Sequence, residues 1–177
     1  MNYYIVDVFT DHTFGGNPAG VCPLESWLPD ETLQNIAMEN NLSETAFFVE
    51  REDYYELRWF TPEIEVDLCG HATMASAYVL FNVLNAGLDE LTFHTQSGIL
   101  TVKRRDSEML WLDFPARPGV ATPNYTALSK AFEINRYETY KSADILVVVE
   151  NESIVKNLRP DFNALKKIKE FTEAMKV

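Results

Sequence analysis

Apolar and polar positions alternate with a period of two through most of the first 115 residues, and two segments of helical spacing interrupt them. The β-branched and aromatic run Tyr3 to Phe9 reads as a strand, the turn chemistry of Gly15 to Pro18 follows it, and Ala19 to Pro23 reads as its partner. Between Pro29 and Glu39 the apolar residues Leu33, Ile36 and Ala37 follow an acidic first turn, the pattern of a short amphipathic helix. Alternation returns in Thr45–Val49 and Tyr55–Phe60, separated by charged residues near Asp53, which predicts a hairpin. Small residues at apolar spacing from Ala72 to Leu80 predict a buried helix beginning at His71. Three further alternating runs, Leu91–Thr95, Ile99–Lys103 and Met109–Phe114, form a meander with turns at Gln96–Gly98 and Arg105–Ser107.

Strands therefore dominate and surround few helices. The fold class expected is α+β, with a curved and mainly antiparallel sheet wrapped around the Ala- and Ser-bearing helix. Between Ala116 and Pro123 prolines and a glycine interrupt the periodicity, so a first lobe over residues 1–118 and a second over 119–177 are expected. In the second, Asn124–Phe132 reads as a helix, Asp144–Glu150 as a strand and Asp161–Ile168 as a helix capped by Asp161.

Composition narrows the class. With 177 residues and 46% hydrophobic content the chain can bury a core of its own. Two cysteines, Cys22 and Cys69, are too few for a disulfide framework, and with no leader-like opening a reducing cytoplasm is the expected compartment. Apolar runs such as Ile145–Val149 fall far short of the roughly 20 residues that span a bilayer, so no membrane partner is expected. The net charge of −12 argues against nucleic acid, whose phosphates need clustered cations. Acidic runs such as Glu50–Asp53 and the carboxylates Glu63, Glu65 and Asp67 read as solvated faces. An anionic ligand would meet a repulsive general field, and a local helix N-terminus would have to supply the attraction.

Such a terminus is expected at Asp67–Thr73, where Cys69 and His71 flank Gly70 as a strand-like run gives way to a helix. Unpaired backbone N–H groups and the positive end of the helix dipole would lie beside an imidazole that titrates near neutrality. The plainer alternative is a glycine turn with a packed cysteine and a histidine bonded to backbone. Glu44 stands at a second helix-to-strand junction, Asn40–Val49, next to Ser43. Asn17, which can donate and accept, lies in the loop Thr13–Val21. Moving a proton from carbon requires a positioned base, a group to return the proton and fixed dipoles for the developing charge. Glu44 suits the first role, His71 can orient a ligand or shuttle a proton, Gly70 offers a close N–H, and Asn17 can hold a polar group. Equally, Glu44 could simply cap a turn with Ser43. His12 and His94 are assigned no role, no spaced Cys and His set points to a metal, and neither a Walker loop nor GxGxxG occurs. The chemistry expected is free of cofactors.

Four stretches in order, Asp7–Thr10, Thr13–Val21, Asn40–Val49 and Asp67–Thr73, resemble the family named after the phenazine biosynthesis protein PhzF, within the superfamily of diaminopimelate epimerase and proline racemase. The resemblance runs from the first residues to about Pro118. It implies an epimerase-like lobe facing a second lobe across a cleft. It further implies an isomerase acting on a small carboxylate-bearing metabolite, with Glu44 and His71 as catalytic residues and Asn17, Ser43, Cys69 and Gly70 binding substrate. Thiol-type racemases of the superfamily use the cysteine of a Cys-Gly motif together with a second cysteine from the opposite lobe. Here Cys22 belongs to the same lobe as Cys69, so the resemblance favours the carboxylate mechanism and makes Cys69 a small buried residue. Asp144–Glu150 and Val155–Asp161 look like the opening of the family's second domain, and no acidic, Gly-Ser-rich motif follows before Val177. A truncated, non-catalytic binding module is therefore the second reading. An uncovered cleft face around Leu68 and Phe47 would then favour a homodimer.

Overall fold

A computed structural model describes residues 1–84, 86–105, 109–142 and 144–168. The expected turn residues Asp106 and Ser107 lie outside the described residues. The chain divides into two compact units, Met1–Phe114 and a second beginning at Pro115.

In the first unit, β1 (Tyr4–Val8) pairs antiparallel with β2 (Asn17–Leu24). Gly16 makes the turn before β2 possible: its φ is 62°, and a Cβ there would collide with the Val8 carbonyl. After α1 (Asp30–Asn40), β3 (Thr45–Glu50) runs parallel to β2 and antiparallel to β4 (Tyr55–Phe60). A two-residue strand, β5 (Glu65–Val66), pairs with β4. Following α2 (Gly70–Tyr78), the antiparallel meander β6 (Glu90–Thr95), β7 (Gly98–Arg104) and β8 (Leu110–Asp113) joins the sheet through a parallel β4–β6 pairing. The spatial order is β1-β2-β3-β4-β6-β7-β8. Helix α2 touches β1 at one end of this order and β8 at the other, so the sheet curls around it.

The small residues of α2 permit that enclosure. Ala72, Thr73, Ala75, Ser76 and Ala77 are all buried, and small side chains let the helix backbone lie close to the sheet. The two buried hydroxyls are satisfied within the helix, Thr73 Oγ1 donating to the Cys69 carbonyl at 2.6 Å and Ser76 Oγ to that of Ala72 at 2.8 Å. Beyond Tyr78 the helix widens into a π-helical turn, Val79–Val83, where Arg104 donates to the Phe81 carbonyl at 3.1 Å.

Period-two alternation sends β3 side chains to both faces. Ala46 and Phe48 join the core around α2, whereas Phe47 packs with Cys22, Leu33, Ala37 and Phe60 beneath α1. Phe47 is thus fully buried, against the expectation that it helps form an exposed cleft face; α1 covers the side of the sheet to which it points. Glu65 also departs from its expected place on a solvated edge. It is half-buried and takes two hydrogen bonds from Arg58, Nε to Oε1 and Nη2 to Oε2, each 2.7 Å. Arg58 Nη1 reaches Asp30 Oδ1 at 2.9 Å, so one guanidinium ties α1, β4 and β5 together.

In the second unit, β9 (Val120–Thr122), β10 (Glu138–Lys141) and β11 (Ile145–Val148) form an antiparallel sheet in the order β11-β10-β9, with α3 (Thr126–Phe132) between β9 and β10 in sequence. Two short helices follow, α4 (Glu152–Asn157) and α5 (Phe162–Leu165). Asp161 caps α5 as expected, its Oδ1 accepting the Ala164 N–H at 3.0 Å, but the α-helix ends at Leu165.

Candidate active site

Strand β3 carries Glu44 to the rim of the sheet. The Gly20 N–H donates to the Glu44 carbonyl at 3.0 Å, and the next residue, Thr45, lies opposite Gly20 in the parallel register. Alternation then puts the Glu44 side chain on the face of Ala46 and Phe48, the face that α2 occupies. Cys69 is the N-cap of α2, with extended backbone at φ −145°, so Gly70 and His71 are the first two helical residues. His71 Nε2 comes to 3.2 Å from Glu44 Oε2, with side-chain exposures of 10% and 22%.

Asn17 opens β2 at the same end of the parallel β2–β3 pair as Glu44, and it is half-buried. Ser43 is exposed, one residue before Glu44. The structure thus gathers Glu44, Cys69, Gly70 and His71 at one place and sets Asn17 at the neighbouring strand end. Two residues that the sequence does not single out adjoin it. A Cβ on Gly70 would meet the Phe114 ring at 3.7 Å and Leu112 Cδ2 at 3.9 Å. Their proximity follows from the register of β8 in the curled sheet, and no local pattern announces it.

These are ordinary van der Waals distances, and Gly70 is not among the glycines of positive φ. Packing therefore does not demand glycine at this position. A side chain there would nonetheless occupy space beside the first turn of the helix.

Burial governs the protonation of this cluster. It draws the His71 pKa below its ordinary value, with Glu44 acting in the opposite direction. It also pushes the Cys69 thiol up to about 12, an effect reinforced by Glu44 and opposed by the Ala72 and His71 N–H groups. Near neutral pH the site thus holds a neutral imidazole and an intact thiol. Cys69 Sγ lies 3.4 Å from His71 Nδ1. On the other side of the ring, Nε2 is buried without an aligned hydrogen-bond partner among the described residues, so its approach to Glu44 is an electrostatic contact.

Glu44, Cys69 and His71 each offer one potential metal-ligating atom, all within 4.8 Å of one another. A zinc ion holds such atoms at about 2.0–2.3 Å around a single centre. Here Cys69 faces Nδ1 and Glu44 faces Nε2, at opposite ends of the imidazole, so the three do not converge as a preformed cage. The other cysteine is no partner for Cys69 either. Cys22 belongs to the core beneath α1 and Cys69 to the core around α2, and burial lifts the Cys22 thiol also to about 12.

The phenazine biosynthesis-like protein family model, PhzC-PhzF, matches residues 6–175. An uncharacterized isomerase of Pseudomonas aeruginosa is 53% identical over 168 residues, covering 94% of this chain and 64% of that protein. An uncharacterized isomerase of Halalkalibacterium halodurans is 43% identical, over 93% of this chain and 63% of its own length. The crystal structure of a PhzF family protein from Enterococcus faecalis superposes with a TM-score of 0.86 at 48% identity, over 94% of this chain and 64% of that one. A predicted epimerase of Pseudomonas aeruginosa superposes with a TM-score of 0.69 at 22% identity, over 94% of this chain and 66% of that one, a likeness of fold alone. The α+β, epimerase-like fold expected from the sequence is the fold these structures share. The chain spans just under two thirds of the length of these two isomerase relatives.

Proposed function

The chain belongs to the phenazine biosynthesis-like (PhzC-PhzF) family, and from that premise we propose that it isomerises a small carboxylate-bearing metabolite by a cofactor-independent proton transfer. Glu44 removes a proton from an activated carbon. The electron pair of the broken C–H bond becomes the new double bond, the old double bond's electrons move to its far carbon, and Glu44 returns the proton there. No atom is gained or lost, so no oxidant or co-reactant is required. The Gly70 N–H and the N-terminus of α2 hold the substrate carboxylate, His71 donates to the oxygen on which charge develops, and Asn17 and Ser43 bind the rest of the molecule.

The observation that carries this reading is the 3.2 Å approach of Glu44 Oε2 to His71 Nε2 at the start of a helix. A proton acceptor and a neutral donor stand together where backbone dipoles favour an anion, in a protein whose net charge is −12. A thiol mechanism has less support, because both thiols are buried and they belong to cores on opposite sides of the sheet.

The reading extends to a cytoplasmic homodimer. Two free cysteines fit a reducing compartment, and among the described residues no helix is long and apolar enough to cross a membrane. Ile99 and Trp111 stay exposed on the outer face of β7 and β8, where a second copy could cover them. The test of the reaction is solvent deuterium incorporation into a panel of unsaturated carboxylates in D2O. Glu44→Gln should cut incorporation by about 100-fold or more with the fold intact. Incorporation unaltered by the substitution would remove Glu44 from the reaction, and carboxylate binding with no incorporation by the unsubstituted chain would favour the binding-module reading.

A further inference from the structure

The contact between Cys69 and His71 is unused by the reaction as described. Cys69 Sγ lies 3.4 Å from His71 Nδ1, and only 7% of the cysteine is exposed. A buried imidazole that stays neutral carries one proton on one of its two nitrogens, and its neighbours decide which. We propose that Cys69 is a positioning residue: its S–H donates to His71 Nδ1 and holds the ring as the Nε2–H tautomer, with that proton directed to the side of Glu44.

Two separate observations point to the same tautomer. At one end of the ring, the backbone N–H groups of His71 and Ala72 face the sulfur, though neither closes into a cap hydrogen bond. With those donors on the helix side of the sulfur, the proposed arrangement leaves the thiol's single proton for Nδ1. At the other end, Nε2 stands 3.2 Å from Glu44 Oε2, a carboxylate oxygen with lone pairs to accept a proton from that side. A proton on Nδ1 would have to donate to a sulfur whose accepting side already faces the two backbone N–H groups, and it would set lone pair against lone pair at the Glu44 end. Glu44 and Cys69 are the titratable groups that face His71 among the described residues, and they act on opposite nitrogens.

Cysteine is a poor N-cap in itself, because a Ser, Thr, Asp or Asn oxygen would satisfy the first N–H groups better. The tautomer gives the thiol a second use at this position. In the proposed reaction the Nε2 proton is the one available to a substrate oxygen beside Glu44, so this inference rests on that reading for its chemical purpose. The tautomer itself can be observed without any substrate.

The experiment is nitrogen-15 NMR of the imidazoles in the 177-residue chain at neutral pH, with the other two histidines assigned through His12→Gln and His94→Gln. His71 should show a protonated Nε2 and a bare Nδ1 whose resonance is displaced upfield by an accepted hydrogen bond. Cys69→Ala should abolish that displacement, and Cys69→Ser, which restores a donor, should bring it back. A proton found on Nδ1 in the unsubstituted chain overturns the proposal, as does an Nδ1 resonance that Cys69→Ala leaves in place. Either result would stand whether or not Glu44→Gln stops deuterium incorporation, so failure here is separable from failure of the isomerase reading.

Discussion

Glu44 and His71 face each other across the gap between the start of β3 and the start of α2, Oε2 to Nε2 at 3.2 Å, with the imidazole the more deeply buried of the two. Burial is the largest influence on His71 and holds its pKa below the ordinary value near 6.5. In the unfolded chain His71 takes up a proton as pH falls through about 6.5, while the folded chain resists until lower pH. Its contribution to stability is therefore fully present above about pH 6.5 and is lost as pH falls from there through the folded value. Urea unfolding at pH 7 and pH 5.5 should show a smaller acid loss in His71→Asn than in the unsubstituted chain. An equal loss in both would mean that His71 is not held neutral by the fold.

Gly70 separates what the fold needs from what a ligand needs. An added methyl group would sit at ordinary contact distance from Phe114 and Leu112, and alanine at a helix start carries no backbone penalty. Gly70→Ala should leave the thermal midpoint unchanged or slightly raised. It should nonetheless weaken binding of a small carboxylate by about tenfold, a difference of about 1.4 kcal/mol, read by calorimetric titration. Undiminished binding would show that the ligand does not approach over Gly70.

How far the sequence foretold this arrangement depends on where the deciding contacts lie. The β3–β4 hairpin, the β6–β8 meander, the start of α2 and the Asp161 cap were legible because period, turn residues and capping chemistry are local. Phe47 was misplaced because β3 is covered on both faces, and alternation then distinguishes one core from the other without marking an outside. β5 is two residues long inside an acidic run, and Glu65 is drawn out of solvent by the distant Arg58 guanidinium and the Gln96 amide, which donates to its Oε1 at 2.8 Å. β10, Glu138–Lys141, has too few apolar residues to stand out. At the site, the junctions carrying Glu44 and His71 could be read from their flanking patterns, whereas Phe114 beside Gly70 depends on sheet curvature that no short segment encodes.

The Arg58 junction should be a major support of the first unit. Its side chain is 21% exposed and makes the paired bonds to Glu65, a third to Asp30, and stacks over Trp27 and Phe60 at 5.2 Å from each ring. Arg58→Ala should cost about 2–3 kcal/mol, since charge-assisted bonds are lost and Glu65 is left half-buried without its cation. Arg58→Lys should recover less than half of that, because an ammonium cannot reproduce the two-pronged geometry. Chemical denaturation of the three proteins measures this directly, and a lysine variant as stable as the original would reduce the contact to simple charge pairing.

Phe47 and Trp111 provide opposite tests of where the first unit is closed and where it is open. Phe47 is fully buried and meets Phe60 edge-on at 5.5 Å, so Phe47→Ala opens a cavity beneath α1 and should destabilise by about 3–5 kcal/mol. Trp111 is 54% exposed, with the Arg105 guanidinium 4.2 Å from its ring centroid, and its removal vacates no core. Compared at concentrations where the original chain is monomeric, Trp111→Glu paired with Ile99→Glu should leave unfolding within about 0.5 kcal/mol of the original, as expected for surface substitutions. If β7 and β8 form the contact between two copies, the double variant sediments as a monomer at concentrations where the original chain is dimeric. The Phe47 variant, assayed where it is still folded, keeps the original association. Dimers that survive the double substitution would move the interface elsewhere on the molecule.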